Sequence, residues 1–231
     1  MSLDTTKARA SILQRIRARY RKETNDGAQE RAEIDRYIAL HPSGPRPIFP
    51  SDLTRHFRLM AERMSSTVDA VATFADAPAA VARYLELQAL QPRAVVWPAL
   101  EHLDWAGAAV TVEARAPKRD ESSGADMVGI TGCYCALAET GTLVLLSGPQ
   151  TIASTHLLPE THVAIVAASR IVATMEDAFA LMRAERTDPA HLMPRAINMV
   201  SGPSRTGDIE QTIVLGAHGP YRVHIIVATA D

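Results

Sequence analysis

Val163-Ala164-Ile165-Val166-Ala167-Ala168 runs without a polar side chain, and a kindred run, Thr142-Leu143-Val144-Leu145-Leu146, stands upstream of it. A half-exposed strand alternates apolar with polar residues. Continuous β-branched runs of this length belong to strands covered on both faces, as in parallel sheets flanked by helices. Working outward, Thr174 is placed to cap a helix from Met175 to Ala184, and Asp76-Ala77-Pro78 opens another that runs to Leu90. Ser51 and Asp52 can cap a helix reaching about Met64. Strands are expected at Val68–Phe74, at Ala94–Trp97 (closed by Pro98), at Ala108–Val112, and at Ile197–Val200 and Val223–Ala228 to finish the sheet. Strands alternating with helices predict a three-layer, mostly parallel, Rossmann-like α/β fold with right-handed crossovers.

Upstream, Thr5 to Glu23 reads as a helix with Ala8, Ile12, Ile16 and Tyr20 on one stripe and arginines and lysines elsewhere. A basic amphipathic helix suits an anionic membrane, RNA or an acidic partner. A stripe this thin, lacking Trp and Phe, favours a helix merely docked on protein. A second helix follows Asn25-Asp26-Gly27, from Ala28 to about Leu40. Pro42, Pro45, Pro47 and Pro50 then interrupt the chain, as a linker would. The expected division is a helical extension over 1–42 and an α/β domain over 43–231.

Composition narrows the function. Hydrophobic residues at 47% and charged residues at 22% are globular values, and a net charge of −2 is not that of a nucleic-acid binder. No apolar run approaches the roughly 20 residues that span a bilayer, and the polar, arginine-rich start lacks a secretory signal's apolar segment, so a cytoplasmic protein is expected. The two cysteines, Cys133 and Cys135, are too few for an iron–sulfur cluster. Their C-x-C spacing differs from the C-x-x-C of redox pairs, and in an extended segment both would share one face. No metal site is expected: among the histidines other than His218, His156 and His162 are the closest pair, and Pro159 breaks the helix that would align them.

Two polar, glycine-bearing segments carry the candidate chemistry, both expected beyond the carboxyl ends of strands. The first is Gly129-Ile130-Thr131-Gly132 followed by Ala138-Glu139-Thr140-Gly141-Thr142. Glu139 is the lone acid among small and apolar neighbours, suited to acid–base or nucleophilic work or to tying loop amides together, and Thr140 and Gly141 would let backbone amides approach a ligand. The second is Ser201-Gly202-Pro203-Ser204-Arg205-Thr206-Gly207-Asp208. Gly202 turns the chain, Ser204, Thr206 and Asp208 offer oxygens to a helix starting near Asp208, and Arg205 beside free amides would hold a carboxylate or phosphate. His218, between Gly216 and Gly219, could face the same cleft.

The wording and order of GITGCYCALAETGTLVLLSGP (129–149), LLPETHVAIVAASRIVATMEDAFALM (157–182) and SGPSRTGDIEQTIVLGAHGPYRVHIIV (201–227) resemble the LUD-domain family of lactate-utilisation proteins. The resemblance implies a fold similar to the CoA-transferase and ribose-phosphate-isomerase superfamily. It also implies a part in oxidising L-lactate to pyruvate beside iron–sulfur partner proteins, which would carry the clusters. In related enzymes a comparable glutamate attacks a carboxyl or thioester carbon, which points to Glu139. Where the family often has an acid ahead of the A-E-T-G motif, this chain has Tyr134, a departure that bears on ligand choice. Three readings follow: a carboxylate-binding component of a lactate-oxidising system, a non-catalytic assembly or regulatory subunit of it, and a stand-alone acyl or CoA transferase using Glu139.

Overall fold

The computed structural model describes residues 5–19, 27–42, 44–118, 125–186, 193–207 and 214–230. The chain divides into two units, Met1–Pro47 and Ile48–Asp231. The first holds α1 (Thr6–Arg19) and α2 (Gly27–Leu40), neither of which buries a residue.

The second opens with α3 (Leu53–Arg63), whose first turn is held by Asp52: its carboxylate accepts the Arg55 N–H at 2.9 Å. There follow β1 (Thr67–Val71), α4 (Ala77–Leu87), β2 (Arg93–Val96), β3 (Thr111–Glu113), β4 (Val128–Thr131), β5 (Cys135–Leu137) and β6 (Thr142–Leu146). Then come β7 (Thr161–Ala167), β8 (Ile171–Val172), α5 (Met175–Glu185), β9 (Ile197–Val200), β10 (Arg205–Thr206), β11 (Val214–Leu215) and β12 (Arg222–Ala228).

Six strands form the central sheet in the order β1-β12-β7-β4-β2-β3, every neighbouring pair parallel. The fold is therefore α/β with a parallel core sheet, as the buried runs imply. A second sheet, β8-β5-β6-β9, pairs β6 antiparallel with both β5 and β9. This corrects the reading of Thr142–Leu146 and Ile197–Val200 as members of the parallel sheet. An apolar run reports cover on both faces, not its hydrogen-bonding partner. Leu143 and Leu145 do face the main core, while Val144 faces the other way, with Cys135, Leu137 and the α5 residues Ala178 and Met182. The second sheet is thus packed between the central core and α5. On the other face of the central sheet lies α4, where the Tyr84 ring stacks on His224 with centroids 3.9 Å apart.

Gly129-Ile130-Thr131, read above as loop, is the interior of β4, between β7 and β2. A Cβ at Gly129 would lie 1.9 Å from the Thr155 carbonyl oxygen, so this glycine serves a close approach, not a turn. The connection leaving β2 runs outward to neighbouring β3, whereas the one leaving β4 runs the opposite way, towards β7. Adjacent strands whose connections diverge define a topological switch point, and in open parallel sheets the crevice beyond their carboxyl ends is where ligands bind.

Candidate functional site

The Glu139 loop is the tip of the β5–β6 hairpin. The Gly141 N–H donates to Leu137 O (3.0 Å) and the Glu139 N–H to Ala173 O (3.0 Å), which pins the tip to the chain leading into α5. Gly141 has φ +65°, and a Cβ there would meet the Ala61 nitrogen at 2.2 Å, so the tip rests directly on the last turn of α3. Thr140 and Thr142 share a hydroxyl hydrogen bond of 2.7 Å, and Thr142 shares another of 2.6 Å with Ser201. This hydroxyl chain joins the two segments singled out in the sequence. Gly202, at φ +80°, abuts the Met64 carbonyl, and Arg205 Nη2 donates to that same oxygen (3.0 Å) and to Ser65 Oγ. Both segments therefore converge on the end of α3. Glu139 is half-buried, whereas Thr140, Arg205 and His218 are exposed and Thr206 is half-buried in β10. No hydrogen bond or ion pair joins Glu139 to Arg205 or His218 among the described residues.

Ser204 is clasped by the loop that carries His218: its N–H donates to Pro220 O and its carbonyl accepts the Gly216 N–H, both at 2.9 Å. That loop leads into the start of β12, and Met64–Ser66 leads into the start of β1. The Ser204–Thr206 turn and His218 therefore gather at the amino end of the parallel sheet, not the expected carboxyl end. The reason is topological. β9 belongs to the second sheet, so the chain leaving it is not a crossover from a parallel strand. Before residue 208 the chain enters a two-stranded antiparallel ladder, Arg205–Thr206 with Val214–Leu215. Asp208 and the helix expected from it lie outside the described residues.

The carboxyl end holds something the sequence reading missed. Between the segments leaving β2 and β4, at the switch point, opens a cavity of about 670 Å³. Trp97, Leu100, Gly132, Cys133 and Tyr134 line it from the sheet, with Arg195 from the segment before β9. In the sequence Trp97 reads only as the end of a strand. The telling signal was a tryptophan at a strand's carboxyl terminus beside a proline.

Tyr134 Oη donates to Glu185 at 2.6 Å, and Arg170 both grips Glu185 (2.5 Å) and lies over the Tyr134 ring at 4.6 Å. A carboxylate thus reaches position 134 through space, from α5. Burial, with Glu185 alongside, pushes the Tyr134 hydroxyl up to about 12, while Arg170 and Tyr134 hold Glu185 down at about 2. The cysteines do not share one face. Cys133 packs with the main core and Cys135 with the α5 cluster, because the strand begins only at Cys135. Burial pushes both thiols up, Cys135 to about 11, and the Cys133 thiol donates to Cys135 O at 2.7 Å. Neither is poised as a thiolate.

Pro159 does not keep His156 and His162 apart: their rings lie 5.8 Å from centroid to centroid, one on the 3₁₀ turn Ala153–His156 and the other on β7. His162 Nε2 lies 2.8 Å from Thr131 Oγ1. Burial pushes His156 down to about 4 and His162 to about 3, so both are neutral at physiological pH.

A parallel sheet with a cavity at its switch point, packed against a second sheet, defines an open α/β protein. The LUD domain model matches residues 55–228, and the chain belongs to that family. It is 44% identical over 102 residues to "Lactate utilization protein C" of Geobacillus sp. (strain WCH70) and 40% identical over 102 residues to that of Bacillus subtilis (strain 168). Each match covers 44% of this chain and 42% of the relative, so the chain spans less than half the length of these relatives. Among solved structures, a DUF162 family protein from Deinococcus radiodurans is similar in fold, with TM-score 0.53 and 23% identity over 79% of this chain and 99% of that one. Among the described residues no helix is long and apolar enough to cross a membrane.

Proposed function

We propose that this chain serves in L-lactate utilisation, holding a small carboxylate such as lactate or pyruvate at the junction of the Glu139 hairpin and the Ser204–Thr206 turn. The observation that carries the reading is the 2.6 Å Thr142–Ser201 bond, which joins the two polar segments into one surface. The names of the relatives supply the pathway. Arg205 uses Nη2 on the end of α3. Its Nε and Nη1 carry further N–H groups in a fixed fork that suits a carboxylate. Ser204 and Thr206 would add hydroxyls, and Glu139 and His218 would take or give protons beside it. Oxidising lactate to pyruvate releases two electrons and two protons. The electrons would leave through iron–sulfur partner proteins.

Calorimetric titration with L-lactate and with pyruvate tests the site. Arg205→Ala is expected to lose about tenfold or more in affinity, the worth of one charge-assisted contact; unchanged affinity removes Arg205 from it. A second reading, assembly of the redox partners, draws on α2, where Ile34, Tyr37 and Ile38 are 57%, 67% and 59% exposed on one helical face. Deleting residues 1–42 would then abolish pull-down of the iron–sulfur partners and leave carboxylate binding intact. Retained pull-down would set the assembly reading aside.

A further inference from the structure

We propose that the switch-point cavity between β2 and β4 is a second binding site, for an organic anion with a flat apolar body. It lies at the opposite end of the parallel sheet from the Ser204–Thr206 turn, so it is independent of the carboxylate proposed there.

The polar groups on its walls are already bonded within the protein. The Trp97 indole N–H donates to Ile152 O (2.9 Å), the Thr151 hydroxyl to Leu146 O (2.7 Å) and the Cys133 thiol to Cys135 O (2.7 Å). Ser147 Oγ accepts the Ala196 N–H (2.9 Å), and the Tyr134 hydroxyl is held by Glu185. Of these groups only the Ser147 hydroxyl keeps an unused donor proton, so a ligand recognised by many hydrogen-bond contacts, a sugar for instance, finds few donors here. What remains on offer is apolar surface, from Phe74, Leu146, Pro149 and Met193, together with positive charge. Arg195 lines the cavity, and no carboxylate does so among the described residues. Apolar walls with a guanidinium at the margin select an amphipathic anion, its flat body against the Phe74, Pro149 and Met193 wall and its acidic group towards Arg195.

Size points the same way. About 670 Å³ is the scale of sites that enclose drug-sized molecules, roughly 300–1,000 Å³, and a three-carbon acid would leave most of it to water. The location is the one that open parallel sheets use for ligands. Gly132 lines the cavity, and a Cβ added there would make only ordinary contacts, 3.7 Å from the Trp97 ring, so a longer side chain at this position takes its room from the cavity.

The test uses the full chain labelled with nitrogen-15, whose two tryptophans give two indole N–H signals. Trp105→Phe identifies the one from Trp97. Indole-3-acetate, its neutral amide and pyruvate are titrated in turn. The expected result is a saturable shift of the Trp97 signal with indole-3-acetate, at an affinity about tenfold or more above that of the amide, and no such shift with pyruvate. Arg195→Ala, an exposed change, should erase the preference of acid over amide. Gly132→Met should abolish binding while keeping the wild-type thermal melt, and Arg205→Ala should change nothing. A Trp97 signal that stays put, equal affinities for acid and amide, or full binding by a folded Gly132→Met variant would each overturn the proposal. A failure of lactate to respond to Arg205→Ala would leave it untouched.

Discussion

At the scale of single residues, the glycines separate those that shape the site from those that merely lie near it. Gly141 combines a left-handed backbone with a neighbour where its Cβ would be, at 2.2 Å, whereas a Cβ at Gly207 would meet nothing within 4 Å. An alanine at 141 must accept the left-handed conformation, about 1–2 kcal/mol, and force the hairpin off α3, about 1–3 kcal/mol more. Gly141→Ala should therefore cost about 3 kcal/mol in urea unfolding, while Gly207→Ala stays within about 0.5 kcal/mol of wild type. Equal, small effects would mean that the hairpin does not bear on α3. The A-E-T-G wording thus has a structural half, its glycine, beside whatever chemistry its glutamate performs. Arg205 is double in the same way. Its bond to Met64 O ties the end of α3, so Arg205→Ala should lower stability by about 1 kcal/mol, which a melt separates from any change in ligand affinity.

At the scale of elements, what was legible in the sequence is what is locally determined. Thr174 was readable as a cap, and it is one: its hydroxyl accepts the Asp177 N–H at 3.2 Å while Asp177 accepts the Thr174 N–H at 3.0 Å, a reciprocal box over α5. Thr174→Ala should cost about 1 kcal/mol and raise hydrogen exchange at the amides of the first turn of α5. An unchanged exchange pattern there would show that packing alone fixes the helix start. The buried runs at 142–146 and 163–168 were equally readable as strands, because their apolar continuity is a local property. What escaped was every feature set by a distant segment. β4 passed for a loop because Gly129 answers to the Thr155 carbonyl, 26 positions on. β9 passed for a member of the main sheet because its partner, β6, is chosen by tertiary packing. The hydroxyl chain linking Thr140, Thr142 and Ser201 and the capping of α3 by Arg205 were invisible for the same reason. So was the switch-point cavity, since it is enclosed by segments after β2, after β4 and before β9 that nothing in the sequence relates.

At the scale of the whole molecule, the buried imidazoles make acid stability the sharpest test of the core. Burial pushes His156, His162 and His224 down to about 4, 3 and 4, from an ordinary value near 6.5 in the unfolded chain. His162 is level with Val223 and His224 with Val163, so the two stand on opposite faces of the central sheet, and neither face is free of the effect. Between those pH values the unfolded state binds protons that the folded state refuses. The contribution is therefore intact above about pH 6.5 and is lost as pH falls towards 4, at up to about 1.4 kcal/mol per pH unit for each histidine. Glu113 and Glu185, held at about 2 chiefly by hydrogen bonds from their arginines, act in a lower window, from about 4.5 down. A domain of ordinary stability, about 5–15 kcal/mol, should thus unfold before the carboxylates are fully protonated. Urea unfolding at a series of pH values should show stability declining already between pH 6.5 and 5. His162→Leu, which removes one refused proton, should make that decline shallower even though it strands the Thr131 hydroxyl and lowers stability at pH 7. A profile flat to pH 5 and falling only below it would assign acid sensitivity to the surface carboxylates and would mean that the three rings are not shielded as described. The shallower slope of His162→Leu is the more telling of the two readouts, because a purely structural loss would shift the whole curve without changing its steepness.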